Sequence, residues 1–135
     1  MAYVLDASVA CAWAFADEAT PALDALLDET IQTEVYVPSI WRSEVMNVLI
    51  QASRRGRISS GDALAHWEYL QGLGLTESGY AAPMSVVMDL AQKHQLTAYD
   101  ATYLALASQL RLPLATLDAA LTEAARGEGI DVLGQ

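Results

Sequence analysis

Short apolar segments that alternate with helical segments constrain the fold of this chain more than any other feature. The apolar segments have the length and composition of buried strands, and they lie at residues 2–5, 34–38, 75–78, 112–118 and 130–133. The helical segments lie between them, at 21–29, 40–55, 61–71, 83–94, 98–110 and 119–126. Strands joined through helices pair in parallel, and helices then cover both faces of the sheet. The sequence therefore predicts an α/β fold with a central, mostly parallel sheet.

Local signals set the ends of several predicted helices. Ser39, Ser59 or Ser60, and Thr97 stand where an N-cap hydroxyl is expected, and Pro21 occupies a first helical position. Gly56 stands where the helix that starts near residue 40 should end.

Composition limits the class of protein. A chain of 135 residues, 53% of them hydrophobic, predicts a single globular domain over residues 1–135. Cys11 is the only cysteine, and neither a signal peptide nor a membrane-length apolar run is present, so we expect a cytoplasmic protein that contacts no membrane. The net charge of −10 argues against a simple nucleic-acid-binding module and favours a basic partner.

Three aspartates occupy positions that meet at one edge of such a sheet. Asp6 and Asp118 each follow a predicted strand, and Asp100 lies in the first turn of an almost wholly apolar helix. Each has an ordinary alternative explanation as a helix-capping or helix-start acid. Because sites in parallel sheets form at the carboxyl ends of strands, we expect the three carboxylates to converge.

A fourth carboxylate, Glu44, flanks the apolar stripe of the helix that begins near residue 40. Asn47 follows Glu44 by one turn, where its amide could orient the carboxylate. The alternative for both residues is a solvated helix face.

Converging carboxylates repel one another unless a cation neutralises them. Oxygen ligands suit a hard ion such as Mg²⁺. A zinc site is not predicted, because Cys11, His66 and His94 are scattered along the sequence.

The segments "VLDAS", "E..N.L", "YDATYLALA" and "TLD..L", in this order and spacing, resemble the PIN domain. The likeness is greatest to the VapC-type toxins of bacterial type II toxin–antitoxin pairs. The resemblance implies a three-layer α/β/α sandwich and an RNA-cutting activity that depends on Mg²⁺ or Mn²⁺. It places the acidic quartet at Asp6, Glu44, Asp100 and Asp118, with the Ser8 and Thr116 hydroxyls beside the metal. It also implies an antitoxin partner and a homodimer.

Two other functions remain open on the sequence alone. A haloacid-dehalogenase-like phosphatase would use Asp6 as a covalent nucleophile, but that class wants a second aspartate where this chain has Ser8. A non-catalytic interaction domain could keep the same fold, and a metal titration distinguishes it from a nuclease.

Arg54, Arg55 and Arg57 form a local basic patch whose simplest interpretation is a solvated helix end. If the patch guides RNA, replacing all three residues by Gln should weaken cleavage and flatten its dependence on salt. Cleavage kinetics measured over a range of salt concentrations decide the matter. If cleavage at low salt is unchanged in this variant, the three arginines are a solvated helix end that does not guide RNA.

Overall fold

A fully buried strand lies at the centre of a five-stranded sheet. The computed structural model describes residues 2–78 and 82–135. Within them the strands are β1 (Tyr3–Leu5), β2 (Val35–Val37), β3 (Thr76–Glu77), β4 (Leu114–Ala115) and β5 (Val132–Leu133). Their order across the sheet is β3-β2-β1-β4-β5, and every pairing among these strands is parallel.

Seven α-helices in the described ranges cover this sheet. They are α1 (Ala7–Ala12), α2 (Pro21–Thr30), α3 (Trp41–Arg54), α4 (Ser60–Gln71), α5 (Met84–His94), α6 (Ala98–Leu110) and α7 (Ala119–Gly127). The helix α3 packs against α1 and α4, whereas α6 packs against β1, α5 and α7. The predicted fold class, an α/β/α sandwich around a parallel sheet, is confirmed.

The order of the strands determines where a site can form. The chain leaves β1 for β2 and β3 on one side and then returns to β4 on the other side. Val4 pairs with Leu114, and Leu5 pairs with Ala115, so β1 and β4 end beside each other. Ligand sites in open parallel sheets form at such a switch point, outside the carboxyl ends of the strands.

The helix α1 is a finding that the sequence patterns did not predict. Five of its six residues are buried, so it shows no alternation between apolar and polar positions. Its N-cap is Asp6, which makes no side-chain capping bond, so the carboxylate is available for other contacts.

The predicted helix ends are mostly confirmed. Ser59 and Thr97 each accept a hydrogen bond from a backbone N–H three residues later, and Gly56 follows α3 with a φ of +73°. The prediction of Ser39 as the cap of α3 is wrong. Ile40 is the N-cap instead, and its apolar side chain makes no capping bond. A turn that begins at Pro38, whose carbonyl oxygen accepts the N–H of Trp41 at 3.1 Å, leads directly into the helix.

No helix in the described ranges is long and apolar enough to cross a membrane.

Candidate metal centre

The carboxylate of Asp6 lies at the end of β1 and is held by two hydroxyl groups. Ser8 Oγ donates to Asp6 Oδ2 at 2.5 Å, and Thr116 Oγ1 donates to the same oxygen at 2.8 Å. The backbone N–H groups of Leu117 and Asp118 donate in turn to Ser8 Oγ (3.0 Å) and Thr116 Oγ1 (3.1 Å). Each hydroxyl therefore has a donor behind it and is directed toward the carboxylate.

Burial and hydrogen bonding act on Asp6 in opposite directions. Asp6 is 5% exposed, and burial raises the pKa of its carboxyl group because the charged form loses solvation. Hydrogen bonds from Ser8 and Thr116 lower the pKa, since they stabilise the charged form, but burial outweighs them. The site therefore favours a cation or a proton at Asp6.

Glu44 reaches the same region from α3. Its Oε1 accepts a hydrogen bond from the Tyr103 hydroxyl at 2.6 Å, and the residue is half-buried. Burial raises the pKa of Glu44, and the negative charges of Asp6 and Asp100 raise it further. The bond from Tyr103 opposes these effects without cancelling them.

Asp100 lies in the first turn of α6, and Asp118 is the N-cap of α7. Burial raises the pKa of Asp100, followed by the charges of Asp118 and Asp6. Asp118 Oδ2 accepts the backbone N–H of Leu121 at 2.8 Å, which fixes one oxygen of that carboxylate. Asp100 thus feels two of the other carboxylates at this edge of the sheet.

The four predicted carboxylates interact with one another across the switch point. Asp6, Glu44 and Asp100 repel pairwise, and Asp100 also repels Asp118. Within residues 2–78 and 82–135, however, no three His, Cys, Asp or Glu side chains form a ready-made metal cluster. The acids therefore influence one another through their charges, but no three of them in the described residues form a complete set of metal ligands.

This arrangement fits a magnesium ion. Mg²⁺ usually keeps several waters and is bound through one or two carboxylates together with substrate phosphates, so a protein cage is not required. The donor set is made only of oxygen atoms, which Mg²⁺ and Mn²⁺ prefer. The mutual repulsion of the carboxylates is a second reason to expect a cation among them.

Comparisons with known proteins identify the family of this chain. The family model for the PIN domain matches residues 3–127. The chain belongs to the PIN-domain family. The membership that the motifs predicted is therefore confirmed.

Relatives of this PIN-domain chain include a ribonuclease named VapC3 from Pyrobaculum aerophilum. The two are 31% identical over 127 residues, which cover 91% of this chain and 94% of the relative. The crystal structure of PAE2754 from Pyrobaculum aerophilum matches 98% of this chain and 89% of its own, with a TM-score of 0.75 and 25% identity. VapBC2 from Rickettsia felis, solved with a promoter DNA fragment, shares the fold, with a TM-score of 0.67, 14% identity and 98% and 97% coverage.

The residues predicted around the quartet have different environments. Ser8 and Thr116 bind Asp6 directly, as described above. Asn47 is exposed and lines a shallow groove with Arg42 and Trp67. The hydrogen bond that orients Glu44 comes instead from Tyr103.

The basic patch divides into two parts. Arg57 forms ion pairs with Asp17 (3.1 Å) and Glu18 (2.7 Å), and its guanidinium carbon lies 3.6 Å from the centre of the Phe15 ring. Arg54 and Arg55 are exposed. Replacing Arg57 therefore also removes these contacts, and a clean test of RNA guidance changes only Arg54 and Arg55.

Tyr103 contacts the predicted quartet, although the sequence patterns did not indicate it. It lies within "YDATYLALA", in an almost wholly apolar helix, and it is fully buried. The signal that could have identified it is its hydroxyl, because a buried tyrosine hydroxyl usually has a hydrogen-bond partner.

Replacing Asp100 by Asn keeps the shape of the side chain and removes one negative charge from the site. In chelator the variant should be more stable than wild type by about 1 kcal/mol, because it relieves a repulsion that water partly screens. Mg²⁺ should raise the Tm of the wild type by mass action and that of the variant much less. Paired melts with and without Mg²⁺ measure both effects.

Asp62→Asn is the matched control. Asp62 N donates to the Ser59 cap at 3.0 Å, as Asp100 N donates to Thr97 at 3.1 Å, but Asp62 lies on the exposed start of α4. Its loss should cost a few tenths of a kcal/mol through the helix dipole. If Asp100→Asn also lowers the stability of the protein in chelator, the predicted repulsion between Asp100 and the other carboxylates is contradicted.

The pH dependence of this effect has a definite sign. The pKa of Asp100 is raised in the folded protein, so protonation favours folding and the repulsion grows as the pH rises through that raised value. The advantage of Asn over Asp should therefore shrink to nothing as the pH falls below the ordinary Asp range of about 3.9.

Proposed function

We propose that residues 1–135 form one PIN-like nuclease domain that acts as an endoribonuclease with Mg²⁺ or Mn²⁺. The observation that carries this proposal is the buried Asp6 carboxylate, which two hydroxyls hold at the switch point of the sheet, with Asp118 at the start of the helix after β4. A site of this charge tolerates a phosphodiester only if cations lie between the two. The identity to a named ribonuclease over nearly the whole chain supports RNA as the substrate.

The chain's own residues have distinct roles in this proposal. Asp6, Asp100 and Asp118 bind the cation. Ser8 and Thr116 both donate to Asp6 Oδ2 and so hold the Asp6 carboxylate in place for the ion. Glu44 either binds the ion, directly or through water, or takes the proton of the attacking water, and its raised pKa suits a proton acceptor.

A bound divalent cation supplies two things at such a site: a bound water of lowered pKa, and positive charge for the phosphate oxygens. The protein holds the carboxylates in place and takes up the proton. The water oxygen bonds to the phosphorus, the bond from phosphorus to the leaving oxygen breaks, and the leaving oxygen takes a proton from solvent and departs with one RNA fragment.

The phosphatase alternative is less favourable. Ser8 stands where that class places its second aspartate, and its hydroxyl donates to Asp6 Oδ2. Asp6 is also 5% exposed and held by two hydroxyls, which suits a fixed ligand better than an attacking nucleophile.

The purified protein should cleave single-stranded RNA in Mg²⁺ or Mn²⁺ and lose this activity in chelator. Asp6→Asn and Asp100→Asn should each lower the cleavage rate at least about 100-fold, because each removes a carboxylate from the cation site. Gel analysis of a labelled RNA measures the rates.

Asp62→Asn serves as the control here too and should cleave at the wild-type rate, because it lies away from the acidic quartet. Cleavage that persists in chelator would contradict the metal-dependent mechanism. A phosphorylated Asp6 trapped with a phosphate ester would support the phosphatase instead. A protein that binds no Mn²⁺ in a titration would be a non-catalytic interaction domain.

We also propose that the chain is the toxin of a type II pair, that an antitoxin covers its acidic site, and that two copies form a homodimer. The net charge of −10 favours a partner that offers Arg or Lys near Asp6 and Asp118. The fold shared with VapBC2 from Rickettsia felis supports the antitoxin partner.

Two exposed apolar surfaces support partners of this kind. A groove of about 280 Å³ lies between α3 and α4, and its lining includes Leu64, which is 58% exposed, together with Ile50 and Trp67. On α5, Met84 and Met88 lie one turn apart and are 72% and 61% exposed. Exposed apolar patches of this kind commonly mark protein interfaces.

Light scattering coupled to size exclusion should show a dimer for the protein alone and a larger complex with the product of the adjacent antitoxin gene. Leu64→Asp and Met88→Asp should each weaken the dimer or the complex, because each places a charge in an apolar contact. Ile31→Asp, at a residue that is 69% exposed on another surface, is the control. A stable monomer under both conditions would contradict these interfaces.

A further inference from the structure

The hydroxyl of Tyr103 connects two helices at the acidic quartet. Tyr103 lies on α6 and is 0% exposed, and its hydroxyl donates to Glu44 Oε1 on α3 at 2.6 Å. The helix α6 also packs against β1, the strand that Asp6 follows. One buried group thus holds Glu44 to the helix that packs on the strand leading to Asp6.

The chemistry of the pair fixes the direction of the bond. A phenol keeps its proton at neutral pH, so the Tyr103 hydroxyl is the donor and the Glu44 carboxylate is the acceptor. With Oε1 engaged in this bond, Oε2 is the oxygen that remains available for an ion or a water.

A glutamate needs this kind of support more than an aspartate does. It has one more rotatable bond, and each freely rotating bond weakens the alignment that catalysis needs. Asp6 is held by two hydroxyls and Asp118 by a backbone N–H, and Glu44 is held by Tyr103.

We propose that Tyr103 is a positioning residue for the nuclease reaction, which fixes the Glu44 carboxylate relative to Asp6 through its hydroxyl. This inference rests on the proposed function, because it requires Glu44 to take part in cation binding or in activating water. The competing explanation is structural: the bond satisfies a buried hydroxyl and does nothing else.

The chain contains an internal control for that explanation. Tyr3 is also 0% exposed, and its hydroxyl is hydrogen-bonded to the buried Thr30 hydroxyl. Tyr3 begins β1, whereas Asp6 follows the end of that strand, so the Tyr3 hydroxyl is remote from the acidic quartet. Removing either hydroxyl breaks one buried bond, but only one of the two bonds reaches the site.

The experiment compares Tyr103→Phe with Tyr3→Phe, each of which keeps the aromatic ring in the core. Both variants should fold and show a lowered Tm. Tyr103→Phe should lower kcat about 10- to 100-fold and weaken Mn²⁺ binding by a similar factor, as is usual when a group that orients a metal-site carboxylate is lost. The KM for RNA should change less than about twofold, because Tyr103 is buried and does not touch the substrate. Tyr3→Phe should leave kcat and Mn²⁺ affinity unchanged.

A double-mutant cycle with Glu44→Gln tests whether Tyr103 acts through Glu44. In the Glu44→Gln background, Tyr103→Phe should produce no further loss of kcat, since the group that it positions is already absent. Calorimetric titration of Mn²⁺ into all four proteins provides a reading that does not depend on cleavage.

Several outcomes would overturn the inference. It fails if Tyr103→Phe keeps wild-type kcat and Mn²⁺ affinity, as Tyr3→Phe should, or if its loss adds in full to that of Glu44→Gln. A fully active Glu44→Gln, or a wild type that cleaves no RNA with metal present, would instead contradict the proposed function. The two failures are therefore distinguishable.

Discussion

A carboxylate at the end of a completely buried strand is the constraint on which the rest of this structure depends. All three residues of β1 are 0% exposed, and Asp6 follows them with 5% exposure. A buried charge without partners is costly, so the neighbouring chain must supply hydrogen bonds. The Ser8 and Thr116 hydroxyls supply them, and Thr116 can do so only because β4 pairs with β1 in a fixed register.

The same region stores electrostatic repulsion that folding does not remove. Burial and neighbouring negative charges raise the pKa values of Glu44 and Asp100, so the folded protein is penalised for keeping them ionised. Such tension is typical of functional sites, where stability is sacrificed for chemistry. A cation bound among the carboxylates would convert the repulsion into binding energy, and it would make the acidic site compatible with the anionic substrate proposed above.

Rigidity in this site comes from donors outside the quartet. Each of three acids accepts a hydrogen bond from a group that the fold holds in place. Asp6 accepts from the Thr116 hydroxyl, which itself accepts a backbone N–H. Glu44 accepts from the buried Tyr103 hydroxyl, and Asp118 accepts from the Leu121 N–H at the start of α7. Cation sites tolerate small errors in ligand position poorly, so in the proposed site these donors would matter as much as the ligands. The charged groups of the basic patch are less closely connected with the site, since Arg57 is occupied by Asp17 and Glu18.

The sequence by itself determined the class of fold, and it predicted the quartet of acids. Strand-length apolar runs separated by helices lead to a parallel sheet, and aspartates after strands must lie at its carboxyl edge. The family motifs carried Glu44, whose helical position alone was ambiguous. Only the tertiary structure decided the rest. The short helix α1 lacks periodicity, so no pattern indicated it, and the start of α3 at Ile40 depends on a turn at Pro38 rather than on a Ser39 cap. The bond from Tyr103 to Glu44 joins residues 59 positions apart, and it exists only because α6 and α3 meet beside Asp6. A single sequence shows which side chains can donate or accept hydrogen bonds. Which donors and acceptors come into contact is decided by how the helices pack on the sheet.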